Sequence, residues 1–143
     1  MFIGEYKHTI DQKRRVAIPV KFRKDIGEKA VITKGLDKSL FLYSQKEWGI
    51  LAKKLSQLPF PQANARGFSR IMLSGAVEVS IDNVGRILIP DYLKEYASLK
   101  KNAVIVGVYN RIEIWDQQTW NNYKKGIEKN VEDIAEKLQE IGS

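Results

Sequence analysis

Residues 4–19 read GEYKHTIDQKRRVAIP, and seventy-one positions on, residues 75–90 read GAVEVSIDNVGRILIP. The two stretches align as one motif. Gly4, Ile10, Asp11, Arg15, Ile18 and Pro19 fall on Gly75, Ile81, Asp82, Arg86, Ile89 and Pro90, and Val16 meets Ile87. An apolar pattern recurs easily by chance, whereas an Asp, an Arg and a Pro at one fixed spacing seldom do. The match continues downstream, where KAVITKGLDKSLFLYSQKEW (29–48) parallels NAVIVGVYNRIEIWDQQTW (102–120) with a one-residue gap near a turn. The chain is one supersecondary unit written twice.

Each unit carries the same signals in the same order. Strand-like runs, YKHTI and VEVSI, precede the Asp, and more apolar ones, VAI and ILI, follow the Arg, so the segment from Asp to Arg is a turn. A short helical segment comes next (VKFRKDI, DYLKEYA), then a β pair, then a helix starting near Ser44 or Asp116, both good N-cap residues. The prediction is an α+β fold of two tandem ββαββα repeats with pseudo-symmetry, divided as 1–58, a linker with a helix over 59–73, and 74–143. Trp48, Leu51, Leu55 and Leu58 form a core-facing helical stripe, and Phe68, Ile71 and Met72 do the same in the linker. The C-terminal helix differs: Ile127, Val131, Ile134, Leu138 and Ile141 make a narrow 4-3-4-3 seam among charged residues, suited to docking on its own domain or to self-association.

Composition removes several function classes. The chain has 143 residues, no cysteine and one histidine, so disulfides, thiolate metal sites, thiol nucleophiles and the usual histidine-based constellations are excluded or nearly so. His8 aligns with Val79 and reads as a strand residue. No apolar run approaches the roughly 18 residues of a membrane span and no signal segment opens the chain, which makes a cytoplasmic protein the expectation. Net charge is +7, and all of the excess lies in residues 1–58, with 13 Lys or Arg against 6 Asp or Glu; residues 59–143 carry 11 of each. Charge concentrated in one unit suits a polyanionic partner.

The motif D-x-x-x-R-x-x-x-P has a physical reason at each position. An Asp entering a turn accepts hydrogen bonds from backbone N–H groups two or more residues on, and Gly85 supplies a positive φ at the tip of the second copy. The Arg is then held exposed, with guanidinium geometry that fits a phosphate or the O6/N7 edge of guanine. Pro19 and Pro90 end the following strands by withholding an N–H. Arg14 stands at the glycine position in the first copy, where a positive φ implies strain.

These paired motifs, DQKRRVAIP and DNVGRILIP, together with the opening MFIGEY, the two tryptophan-bearing helices and the C-terminal helix, resemble the MraZ family. That family is related to the AbrB and MazE swapped-hairpin β-barrel DNA-binding group. The resemblance spans essentially the whole chain and implies one swapped-hairpin barrel flanked by helices. It also implies a nucleoid-associated transcriptional regulator that binds G-rich direct repeats in double-stranded DNA upstream of the division and cell-wall genes. A homo-oligomeric ring, commonly an octamer, is implied as well. It implies no cofactor, metal or catalytic residue. DNA contact carries over to Arg15 first and Lys13 with it; in the DNA-binding set Arg15, Lys13, Arg14 and Lys7, Lys13 and Arg14 neutralise backbone, and Lys7 adds field together with Lys21, Arg23 and Lys24. Asp11, Asp82, Gly85, Pro19 and Pro90 structure the loops.

Arg86 is a secondary DNA contact, because residues 4–25 sum to +4 (seven cations, three anions) and residues 75–96 to −2 (two cations, four anions). An Asp82–Arg86 ion pair that serves folding alone competes with that role. Two readings from other classes stand beside the regulator. One is an antitoxin-like protein-binding module; the other is a hydrolase using Asp11 and Asp82 as a dyad, against which the flanking arginines and the lack of Thr-Gly or Ser-Gly speak.

Overall fold

A computed structural model of the chain describes residues 1–142, the side chains of Glu140, Ile141 and Gly142 aside. The order of elements is β1 (Phe2–Thr9), β2 (Arg15–Ala17), α1 (Val20–Ile26), β3 (Lys29–Lys34), β4 (Leu40–Ser44) and α2 (Gln45–Ser56). A linking helix α3 (Ala63–Ser74) leads to β5 (Val77–Ser80), β6 (Arg86–Leu88), α4 (Asp91–Tyr96), β7 (Asn102–Tyr109), β8 (Ile112–Asp116), α5 (Gln117–Lys129) and α6 (Val131–Gly142). The repeated ββαββα pattern is what folds. Both expected caps form, with Ser44 Oγ accepting from Glu47 N–H and Asp116 Oδ2 from Gln118 and Thr119 N–H.

The strands join across the halves. A six-stranded antiparallel sheet runs β1-β7-β8-β4-β3-β5, and β2 pairs with β6 in a separate two-stranded ribbon, Val16 also bridging to Ile10. The opening strand of each half is therefore hydrogen-bonded to the other half: β1 lies along β7 from Phe2–Tyr109 to Thr9–Asn102, and β5 lies along β3. Exchanging the halves maps the strand order onto itself. In the small ribbon, Val16 faces Ile87, its own repeat partner, which places a pseudo-two-fold between them. The fold is α+β and hairpin-swapped, as expected.

One core serves both halves, and it too is written twice. Ile10, Val16, Ile18, Phe22, Ile26, Ala30 and Ile32 are buried in a single cluster with the partners Ile87, Ile89, Leu93, Ala97, Ala103 and Ile105, and Ile81, the partner of Ile10, packs against it half-buried. Strands β4, β7 and β8 bury both faces along most of their length, which explains their continuous apolar runs. Helix α2 closes the outer face over Phe41 and Tyr43 with Trp48, Leu51 and Leu55, joined by Leu58 just beyond its end; on the other half Trp120 of α5 packs beside Trp115, Val104 and Val106.

Two expected stripes differ from the fold. In α3 only Met72 is buried, while Phe68 and Ile71 are 43% and 52% exposed, because one turn of contact with β3 and α2 covers the helix's inner side. The seam of α5 and α6 is open as well, with Val131 and Leu138 at 50% and 63% exposure and Ile134 half-buried. Ile141, its last expected member, lies outside the described side chains. The seam is also interrupted, since Asn130 separates α5 from α6.

Candidate nucleic-acid interface

Each motif folds into a tight loop built around its aspartate. Asp11 Oδ1 accepts from the N–H groups of Lys13 and Arg15 at 2.9 Å each, and Oδ2 accepts from Arg15 Nε at 2.7 Å. Asp82 repeats this, with Val84 N–H at 3.0 Å, Arg86 N–H at 2.9 Å and Arg86 Nε at 2.9 Å. The backbone closes both loops too: Arg14 N–H donates to Asp11 O and Asp11 N–H to Arg15 O, with Gly85 and Asp82 doing the same in the second copy. The N–H of Arg15 holds the Asp11 carboxyl below its ordinary range, ahead of the Arg15 guanidinium; Arg86 does so for Asp82. Both aspartates are anions that organise a turn.

At the tip, φ is positive in both copies, +84° at Gly85 and +61° at Arg14. Replacing glycine by arginine did not remove the left-handed turn. Arg14 meets the strain with a compensating contact, its Nε donating to Ile89 O at 3.1 Å. Pro19 and Pro90 end β2 and β6 and go on to cap α1 and α4, their carbonyls accepting from Phe22 and Leu93 N–H. A proline fits there because the first helical turn needs no N–H from it.

Alternation along the β2–β6 ribbon sets the face that the arginines share. Val16 and Ile87 point into the core, so Arg15, Ala17, Arg86 and Leu88 point out. Arg15 and Arg86 thus lie on one outer face of a two-stranded antiparallel ribbon, their side chains 33% and 34% exposed. Each ion pair engages Nε and no described partner engages the terminal amines, the groups whose geometry matches guanine. The intraloop ion pair and an outward-facing guanidinium coexist in one side chain, so they are not alternatives.

The other expected residues separate. Lys13 is exposed on the first loop, its backbone N–H bound to Asp11. Lys7 is exposed on β1 on the same side as Glu5, which pairs with Lys124 of α5 at 3.0 Å, and so belongs to the sheet's outer face instead of the ribbon. Arg23 moves farthest from its sequence neighbours. The sequence windows count it with the first loop, but it lies against Gly85 of the second, its Nε donating to Ile18 O at 2.9 Å. The swap crosses charge between halves, and no one-dimensional window detects that.

His8 sits on β1 opposite Ala103, as a strand residue; partial burial, then the charge of Arg23, lowers its pKa. Among the described residues no cluster could hold a metal ion, and no helix is long and apolar enough to cross a membrane.

Comparison with known proteins agrees with this doubled geometry. The family model described as MraZ protein, with an antitoxin-like character, matches twice, over residues 1–71 and 72–141. A Transcriptional regulator MraZ of Carboxydothermus hydrogenoformans is 51% identical over 138 residues, covering 96% of each chain. Those of Natranaerobius thermophilus and Caldicellulosiruptor saccharolyticus are 49% and 50% identical, covering 96% and 99% of each chain. Two matching motif loops on a swapped frame, two matches of one family model and likeness along nearly the full length make this chain a member of the MraZ family.

Proposed function

We propose that the protein is a DNA-binding transcriptional regulator that reads G-rich direct repeats with the outer face of its β2–β6 ribbon. The observation that carries this reading is the pair of equally built loops presenting Arg15 and Arg86 on one side. A two-stranded ribbon fits the major groove, and terminal guanidinium amines match guanine O6 and N7. Arg15 and Arg86 make the base contacts, Lys13 and Arg14 neutralise adjacent phosphates, and Lys7 adds field from the sheet. The relatives' name, transcriptional regulator, supports the regulatory role. Control of the division and cell-wall genes, and association with the nucleoid, belong to the same proposal.

One protomer offers a small ribbon, so affinity comes from assembly. The open seam of Ile127, Val131, Ile134 and Leu138 is flanked by charges of both signs, Glu128, Lys129, Glu132 and Lys137 among them, and α3 leaves Phe68 and Ile71 exposed as well. Apolar seam against the apolar residues of α3 makes a heterologous contact in this reading, and a heterologous contact whose rotation closes gives a ring, here of the octamer type. An antitoxin-like role fits less well, because Val131–Gly142 is helical already instead of a tail that folds on a partner. The dyad reading fits least. Shared-proton chemistry needs one carboxyl raised, and both are lowered by their own loops.

The test is duplex binding by fluorescence anisotropy as salt is varied. Affinity for a repeat-bearing duplex should fall with a log–log slope of about −0.9 per phosphate neutralised. It should rise steeply as correctly spaced repeats are added. Binding that ignores salt, or that treats G-rich repeats and scrambled duplexes alike, overturns the reading.

A further inference from the structure

Beside both loops a guanidinium is bonded to the repeat-equivalent backbone oxygen, yet the two guanidiniums come from unrelated positions. Beside the second loop, Arg23 Nε donates to Ile18 O at 2.9 Å; beside the first, Arg14 Nε donates to Ile89 O at 3.1 Å. Ile18 and Ile89 are repeat partners, and their N–H groups donate to Gly85 O and Arg14 O. Arg23 and Arg14 are not partners: Arg23 aligns with Lys94, and Arg14 with Gly85.

One place is therefore filled by two routes. In the first loop the turn residue itself reaches it, with a lysine on the neighbouring helix. In the second, α1 delivers Arg23 across the swap, and Gly85 makes the room. A Cβ at Gly85 would collide with Arg23 Cζ and Nε and come within 2.7 Å of its Nη2. Backbone bonding engages Nε of both arginines, and no described partner engages their terminal amines. Arg23 borders an open groove shared with Lys29, Asp82 and Asn83, and Glu28 lines the same groove. Asp82 is already bonded within its own loop.

We propose that Arg23 is a phosphate-contacting residue of the second loop, working with Arg86 across the swap in the place that Arg14 holds beside Arg15. This rests on the DNA reading above. It makes the second loop a full contact loop, and it supplies the cation that a sequence window assigns to the wrong half.

The experiment uses the full-length protein and a duplex bearing G-rich direct repeats. Arg23→Gln should weaken binding about tenfold and lower the salt slope by about one phosphate. Combined with Arg86→Ala its loss should be less than the product of the two, whereas combined with Arg15→Ala the losses should multiply. Wild-type affinity and slope in Arg23→Gln, with the unmodified protein binding normally, overturns this inference and leaves the DNA reading standing. Failure of the unmodified protein to bind at low salt overturns both.

Because Arg23 also braces Ile18, a second pair of variants separates folding from contact. Gly85→Arg alone should lower the thermal midpoint by collision. Adding Arg23→Lys rebuilds the first loop's arrangement and should recover both midpoint and affinity. A double variant no better than Gly85→Arg alone shows that the two guanidiniums do not share one place, and the proposal falls.

Discussion

At the scale of the residue, one carboxylate sets each loop. Asp11 and Asp82 each accept two backbone N–H groups and one guanidinium, and those bonds favour the ionised form. A carboxyl depressed in the folded state stabilises it above the unfolded value, near 3.8, and loses that contribution as pH falls through the folded value. The thermal midpoint should therefore drop on acidification below about pH 4. Asp11→Asn with Asp82→Asn should flatten that drop, which a pH series of thermal melts would show. Arg14 is the other decisive residue. Its left-handed φ of +61° costs on the order of 1 kcal/mol against glycine. The bond to Ile89 O returns a similar amount. Arg14→Gly should change stability by less than about 1 kcal/mol, while Arg14→Ala keeps the strain, loses the bond and should cost about 1 kcal/mol more. Denaturant titration of the two variants decides this; equal stabilities would show that the strain is absent.

At the scale of the element, the β2–β6 ribbon has three residues per strand, too few to stand by their own ladder. Burial holds it in place. Val16 and Ile87, 0% and 1% exposed, anchor it to the shared core while its outer face stays open. Ile87→Ala should cost about 2–5 kcal/mol and weaken DNA binding through loss of ribbon geometry, without touching an outward side chain. Thermal unfolding and duplex binding measured together would reveal it. A loss confined to stability would place the ribbon outside the binding surface. The helices follow a plainer rule: Asp116 caps α5 with two N–H groups, so Asp116→Ala should cost roughly 1 kcal/mol.

At the scale of the whole molecule, the swap joins the halves into one folding unit, since β1 finds its ladder in β7 and β5 in β3. A fragment of residues 1–74 has no β7, and its exposed β3 offers the equivalent edge to a second copy. Light scattering should find that fragment as a homodimer or as unfolded chain; a folded monomer would contradict the interlocking. The open seam of α5 and α6 belongs to the same scale. Charge at its centre, Ile134→Asp, should break the full-length assembly while leaving the protomer folded, read by light scattering beside circular dichroism. An assembly that survives the substitution places the contact elsewhere.

The sequence by itself determined the doubled unit, the strand and helix order, the two Asp-centred loops, the caps at Ser44 and Asp116, and the equivalences between the halves such as Val16 with Ile87. Those features are local or periodic, so spacing along the chain encodes them. It did not determine how little of α3 is covered, since a stripe of Phe68, Ile71 and Met72 looks alike whether its partner surface is wide or one turn deep. Nor did it determine that Arg14 keeps a left-handed turn by reaching Ile89, a carbonyl 75 residues away. Above all, only the tertiary structure assigned Arg23 to the second loop. Charge adds along a sequence window only when neighbours in sequence remain neighbours in space, and a swapped hairpin separates them.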